Sequence, residues 1–182
     1  LRMEKTSDQY DLAAEACREV FVKKMGDYGT AWQILRPASI TDQIFIKARR
    51  IRNIEEKGVQ MIGDDVRSEY TGIINYAIMG IIQLNATAGS RELSPGEALL
   101  QYNTIFTTAK NLMAAKNHDY GEAWREMRTS SYTDLILMKI RRIKQIEDNQ
   151  GLTTVSEGID ANYLDIINYS VFALIKTAPE SK

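Results

Sequence analysis

Two lysines sit where a helix should present its apolar face. With residues spaced at about 100° around a helix, Ile40, Ile44, Ile51 and Ile54 fall within roughly 80° of one another, and Lys47 lies in the middle of that stripe. Lys139 takes the same place among Tyr132, Ile136, Ile143 and Ile146. An ammonium aimed into a core must snorkel, lose its proton or meet an anion. Two chemistries would satisfy it. One is an internal ion pair with an acid such as Asp27 or Asp119. The other is a phosphate bound between helices, with Arg50 or Arg142, at the flank of the stripe, as a second cation. The two are compatible, because a carboxylate can hold a pocket lysine when no ligand does.

The aspartates come from a hexapeptide that occurs twice. Asp27-Tyr28-Gly29-Thr30-Ala31-Trp32 returns as Asp119-Tyr120-Gly121-Glu122-Ala123-Trp124. In its structural role, Asp119 caps the following turn with Glu122 as its box partner, the glycine permits the turn and Trp124 anchors it. In its functional role, Asp27 and Asp119 face a pocket edge, and Tyr28, Tyr120 or Trp124 offers a ring for stacking. Farther on, Asn75 and Asn168 are surrounded by Ile and Val one turn away. A buried amide needs partners, either another helix or a ligand.

Oxygen ligands for a divalent cation are available in the second copy as Glu147, Glu157, Asp160 and Asp165, whereas the first keeps only Glu55 and Asp64 at equivalent places. Magnesium is the ion such a carboxylate set would suit. The lone Cys17 and lone His118 leave no multi-cysteine or two-histidine zinc site. No nucleophile elbow, Walker loop, Rossmann glycine pattern or Ser/His/Asp constellation is present.

The elements that carry these residues are helices. From Lys24 to Glu56, 17 of 33 residues are identical to those from Lys116 to Asp148, so the chain is a tandem duplication. Each copy reads as three main helices and a short connecting one. In the first copy these are a helix from a Thr6/Gln9 capping box to about Met25, a turn ending near Arg36, a helix over 39–57, a loop over 59–65 and a helix over 66–84. The second copy is expected to have helices at 95–117, 131–149 and 158–177, opened by Ser94-Pro95-Gly96-Glu97. The domains are then 6–85 and 95–178, joined by a linker over 86–94. The fold class is all-α, with the two units packing as a pseudo-twofold helical bundle.

Composition is that of a soluble globular chain: 182 residues, 44% hydrophobic, 26% charged. A formal charge of −1 argues against a broad nucleic-acid surface. The start, Leu1 to Lys5, has no apolar signal-peptide core, and no stretch reads as a membrane span. A cytoplasmic location is expected, and assembly into a homodimer is left open.

Lys116 to Trp124, then Lys139 and Arg142-Ile143, then Leu164-Asp165-Ile166-Ile167-Asn168-Tyr169 together resemble the nucleotide modification associated domain 1 family, in both halves. The resemblance implies a link to nucleotide or DNA-base modification. The third-helix pattern also resembles, more distantly, the all-α MazG-like nucleoside triphosphate pyrophosphohydrolases, whose carboxylates on adjacent helices hold magnesium over a triphosphate. The chain departs from them: no Glu-Glu-x-x-Glu run precedes Asp165, and Gly72 replaces that acid in the first copy. The expectation is a protein that binds a nucleotide or phosphorylated metabolite, with magnesium-assisted phosphoanhydride hydrolysis as its catalytic form. The alternative is a non-catalytic interaction or structural module with internal Lys–Asp ion pairs.

Overall fold

The computed structural model describes residues 2–58, 65–86, 89–152 and 158–179. Among these residues six helices carry the fold: α1 (Arg2–Tyr28), α2 (Pro37–Lys57), α3 (Val66–Asn85), α4 (Pro95–Tyr120), α5 (Thr129–Asp148) and α6 (Ile159–Lys176). A single 3₁₀ turn follows α1 at Ala31–Ile34, and its equivalent follows α4 at Ala123–Glu126. Among the described residues there is no strand, so the all-α expectation holds. No helix among them is long and apolar enough to cross a membrane. The loop expected over 59–65 lies, except for Asp65, outside the described residues.

Both first helices run past their expected ends. Gly26 continues α1, and the terminator is the hexapeptide glycine: Gly29 has φ 59° and Gly121 has φ 60°, the left-handed cap conformation that glycine adopts without a Cβ penalty. Asp27 and Asp119 therefore lie in the last helical turn rather than at the head of the next one. The Thr6/Gln9 box is also absent, because α1 begins at Arg2 and Thr6 lies inside it. At the other end of the second copy's first helix, Ser94 caps α4 by accepting from the Glu97 amide, with Pro95 at the first helical position.

The copies share one core. Helices α2 and α3 pack together, as do α5 and α6, and then α3 lies on α6 and α2 on α5 across the pseudo-twofold axis. Ile40, Ile44, Ile51, Ile73, Ile74, Ile136, Ile143, Ile166 and Ile167 are all fully buried in a continuous cluster drawn from both units. Apolar burial of this kind contributes about 25 cal/mol per Å² and is the main favourable term.

Buried polar bonds register one copy on the other. Tyr102 of α4 donates to Asn75 of α3 at 2.7 Å, while the Asn75 amide donates to the Cys17 carbonyl of α1. The equivalent bonds run from Tyr10 to Asn168 at 2.7 Å and from Asn168 to the Ala109 carbonyl. The two asparagines are thus helix-to-helix connectors. A second matched pair lies closer to the axis. Thr41 contacts Tyr163 at 2.5 Å and donates to Glu147 at 3.2 Å; Thr133 contacts Tyr70 at 2.8 Å and donates to Glu55 at 2.7 Å. Each threonine in one copy meets a tyrosine and a glutamate of the other. Cys17 is fully buried, and burial pushes its thiol up to about 12, which leaves it inert.

Candidate functional site

Each copy forms a cavity where the end of its first helix, the 3₁₀ turn and its third helix meet. The first, about 620 Å³, is lined by Lys24, Tyr28, Trp32, Lys47, Glu69 and Gly72 among others. The second, about 370 Å³, is lined by Lys116, Asn117, Tyr120, Trp124, Asp165 and Asn168, with Tyr169 and Phe172 as aromatic wall. Lys24, Tyr28, Trp32 and Gly72 correspond to Lys116, Tyr120, Trp124 and Asp165, so the duplication has duplicated the cavity, although Lys47 lines the first and Lys139 does not line the second.

The turn that closes each cavity is tied down by the third helix. Gln83 donates to the Gln33 and Leu35 carbonyls at 2.7 and 2.8 Å. Its equivalent, Lys176, donates to the Arg125 carbonyl at 2.7 Å and to that of Met127. Trp124 is 6% exposed and stacks on Phe172 with centroids 4.3 Å apart, and Tyr132 donates to the Trp124 carbonyl. The tryptophan anchors the turn as expected.

The inward lysines do meet acids, but not the hexapeptide aspartates. Lys139 Nζ is 2.9 Å from Asp165 Oδ2, and Lys116 Nζ is 2.8 Å from Oδ1 of the same carboxylate. In the first copy, Lys47 lies 3.5 Å and Arg50 3.0 Å from Glu69. Asp119 instead faces solvent beside His118, its side chain 80% exposed, and Asp27 is exposed too. The physical reason is the helix length: carried through to Tyr28 and Tyr120, the helix turns both aspartates outward.

The acid has moved by one helical turn between copies. Glu69 stands where the second copy has Asn162, and Gly72 stands where it has Asp165. A Cβ at Gly72 would lie 2.9 Å from Lys47 Cε and 3.1 Å from its Nζ, so the missing side chain is the space the lysine occupies. Arg142, the equivalent of Arg50, has no carboxylate within ion-pair distance among the described residues.

Glu122 is a buried hub that the sequence did not disclose. It is 6% exposed and has φ 67°, and it makes no capping bond to the turn it precedes. It accepts from Thr6 of α1 at 2.7 Å, from Trp124 Nε1 at 2.9 Å and from Arg125 at 3.2 Å. Burial raises its carboxyl, but bonds from Thr6, Asn117 and Trp124 and the Arg125 charge outweigh that, leaving it below the ordinary value. Arg125 also reaches Gln9 at 2.7 Å and covers the Trp124 ring.

The acids considered for magnesium do not converge. Asp165 is taken by two lysines, Glu147 accepts from Thr41 in the interface, and Asp160 is exposed in the first turn of α6. Glu157 and Asp64 lie outside the described residues. Among the described residues no three acidic, histidine or cysteine side chains group together.

The sequence pattern of the nucleotide modification associated domain 1 family matches residues 24–84 and again residues 116–177. The chain belongs to this family. Each match begins at the cavity lysine, Lys24 or Lys116, and runs through the third helix, so one family unit coincides with one cavity. No curated protein and no solved structure shows significant similarity to the chain. Of the site residues expected from sequence, Tyr28 and Lys47 line the first cavity and Tyr120, Asp165 and Asn168 the second. Lys139 enters through Asp165, and Arg50 through Glu69. Sequence reasoning missed Lys24, Lys116, Glu69 and Asn117; the two lysines were detectable, since both copies keep them at the same place.

Proposed function

We propose that the cavity built by a family unit binds a nucleotide or related phosphorylated metabolite. The observation that carries this reading is the charge at the cavities: Lys24 and Lys47 line the first against Glu69, and Lys116 lines the second with Asp165, which Lys139 also pairs from outside the lining. Excess positive charge in a partly apolar concavity favours an anion, since the site screens charge less than open water does. Tyr28 and Tyr120, 73% and 72% exposed, stand at the rims, where a ring could cover a base. The family's association with nucleotide modification is consistent with such a ligand.

The reading is one of binding. Hydrolysis of a phosphoanhydride would need an assembled set of carboxylates, and Asp165 is held by two lysines.

A second reading is favoured by one observation: both inward lysines already have internal carboxylates, at 2.9 and 3.5 Å. On that view the chain is a helical interaction or structural module. Thermal unfolding across a nucleotide panel separates the two. A ligand that binds only the native state raises the midpoint in proportion to the logarithm of its concentration. A rise that grows with the logarithm of nucleotide concentration supports the binding reading, and an unchanged midpoint with every nucleotide supports the structural one.

A further inference from the structure

We infer that the two cavities have diverged and that the first is the ligand site, taking an anion rich in hydrogen-bond acceptors, while the second meets its ammonium and indole donors with its own carboxylates. The inference rests on the binding reading above and assigns it to one cavity.

Every equivalent pair points the same way. In the second cavity Asp165 gives one oxygen to Lys116 and the other to Lys139, at 2.8 and 2.9 Å. Glu122 takes the indole N–H of Trp124 at 2.9 Å. Both acids are missing from the first cavity, where Gly72 and Thr30 stand in their places. Glu69, one turn earlier, is reached by Lys47 and Arg50 but leaves Lys24 with no carboxylate in ion-pair distance among the described residues. Thr30 turns away to Glu92 and the Leu93 carbonyl. Trp32 Nε1, sealed from solvent, then has no acceptor among the described residues.

The first cavity is thus left with a sealed indole N–H that has no acceptor, an exposed ammonium, Lys24, that has no carboxylate, and no unmet buried acceptor among the described residues. It is also the larger, about 620 against 370 Å³. A buried donor without a partner is costly, and an incoming acceptor removes that cost. The second cavity's unmet buried atom is of the opposite kind, Asn117 Oδ1, an acceptor that cannot attract an anion. The complementary ligand brings negative charge to Lys24 and Lys47 and an acceptor to Trp32, and lays an apolar or planar part against Phe21, Met79 and Tyr76. A nucleoside monophosphate has these parts.

The chain has only two tryptophans, one in each cavity, so a ¹⁵N-labelled sample gives one indole N–H signal per cavity. The full chain is titrated with the four deoxynucleoside 5′-monophosphates and with inorganic phosphate. The signal absent from Trp32→Phe is expected to move saturably while the Trp124 signal stays. Lys24→Met is expected to weaken binding by about tenfold or more, and Lys116→Met to change it by less than about threefold. Movement of the Trp124 signal with loss of binding in Lys116→Met overturns the assignment but leaves the binding reading standing. So does a raised unfolding midpoint with neither indole moving, because the ligand then sits elsewhere. No movement and no rise in midpoint with any probe overturns both.

Discussion

Lys139 Nζ lies 2.9 Å from one carboxylate oxygen of Asp165, whose side chain is 7% exposed. The lysine itself is 20% exposed, and Lys116 holds the other oxygen. Removing one partner of a fully buried pair costs about 3–5 kcal/mol, because a bare charge is left behind. Here the second lysine remains and water reaches both ammonium groups. Lys139→Met is therefore expected to cost about 1–2 kcal/mol in urea unfolding. Asp165→Asn is expected to cost at least as much, since it leaves two cations facing each other. The double variant should be less damaged than the sum of the singles, the signature of a direct interaction.

The crossed threonines make a prediction about cooperativity. Thr133 is fully buried between Tyr70 and Glu55, and Thr41 between Tyr163 and Glu147. Valine at either position keeps the shape; at 133 it strands the Tyr70 hydroxyl, and at 41 it leaves Tyr163 only the longer bond to the Pro37 carbonyl, at 3.4 Å. Each of Thr41→Val and Thr133→Val is expected to cost about 1–3 kcal/mol. Because every such bond joins one copy to the other, unfolding should remain a single transition in both variants, monitored by circular dichroism and by tryptophan fluorescence together. Two separable transitions would mean that the copies fold independently.

Buried Glu122 and half-buried Glu147 pull in opposite directions with pH. Glu122 is held below the ordinary carboxylate value, so it contributes stability that is present above its unfolded value of about 4.3 and is lost as pH falls through the folded one. Glu147 is the reverse. Burial raises it, Asp42 and Asp148 add to the rise, and the Thr41 bond only offsets it in part. Its contribution is present below the unfolded value and is lost as pH rises through the folded one. At neutral pH, Glu147→Gln is expected to be as stable as the parent or more so, with the difference shrinking toward pH 4. Glu122→Gln is expected to be less stable at neutral pH, with the gap narrowing on the acid side. Urea midpoints between pH 4 and pH 8 read both.

Much of the architecture was legible because it depends on local pattern. Apolar spacing, the Ser94 cap and Gly58 place the helices, and the repeat places the pseudo-twofold. The inward lysines were legible for the same reason, since a charge in an apolar stripe stands out. Their acids were not. Glu69 and Asp165 lie one turn apart on equivalent helices, so aligning the copies sets a glycine opposite an aspartate and hides the shared role. Asp27 misled because a glycine at 26 suggested a helix end, whereas a helix tolerates an interior glycine at modest cost, and Asp119 was read by equivalence with it. Thr6 and Glu122 are 116 residues apart, and nothing local marks such a bond. The crossed threonines share that difficulty: Thr41 and Thr133 read as ordinary helix residues until the copies are set against each other.

The central claim, that the lysines of the first cavity serve a phosphorylated ligand, is tested most directly by calorimetric titration of deoxynucleoside 5′-monophosphates into the parent chain and into the Lys24→Met/Lys47→Met double variant. Arg50 still pairs with Glu69 in that variant, at 3.0 Å, so the fold keeps its buried carboxylate satisfied. The account predicts saturable binding to the parent that weakens as ionic strength rises, and loss of that binding in a double variant that still unfolds cooperatively. Absence of binding to the folded parent, or equal affinity in the double variant, would contradict it.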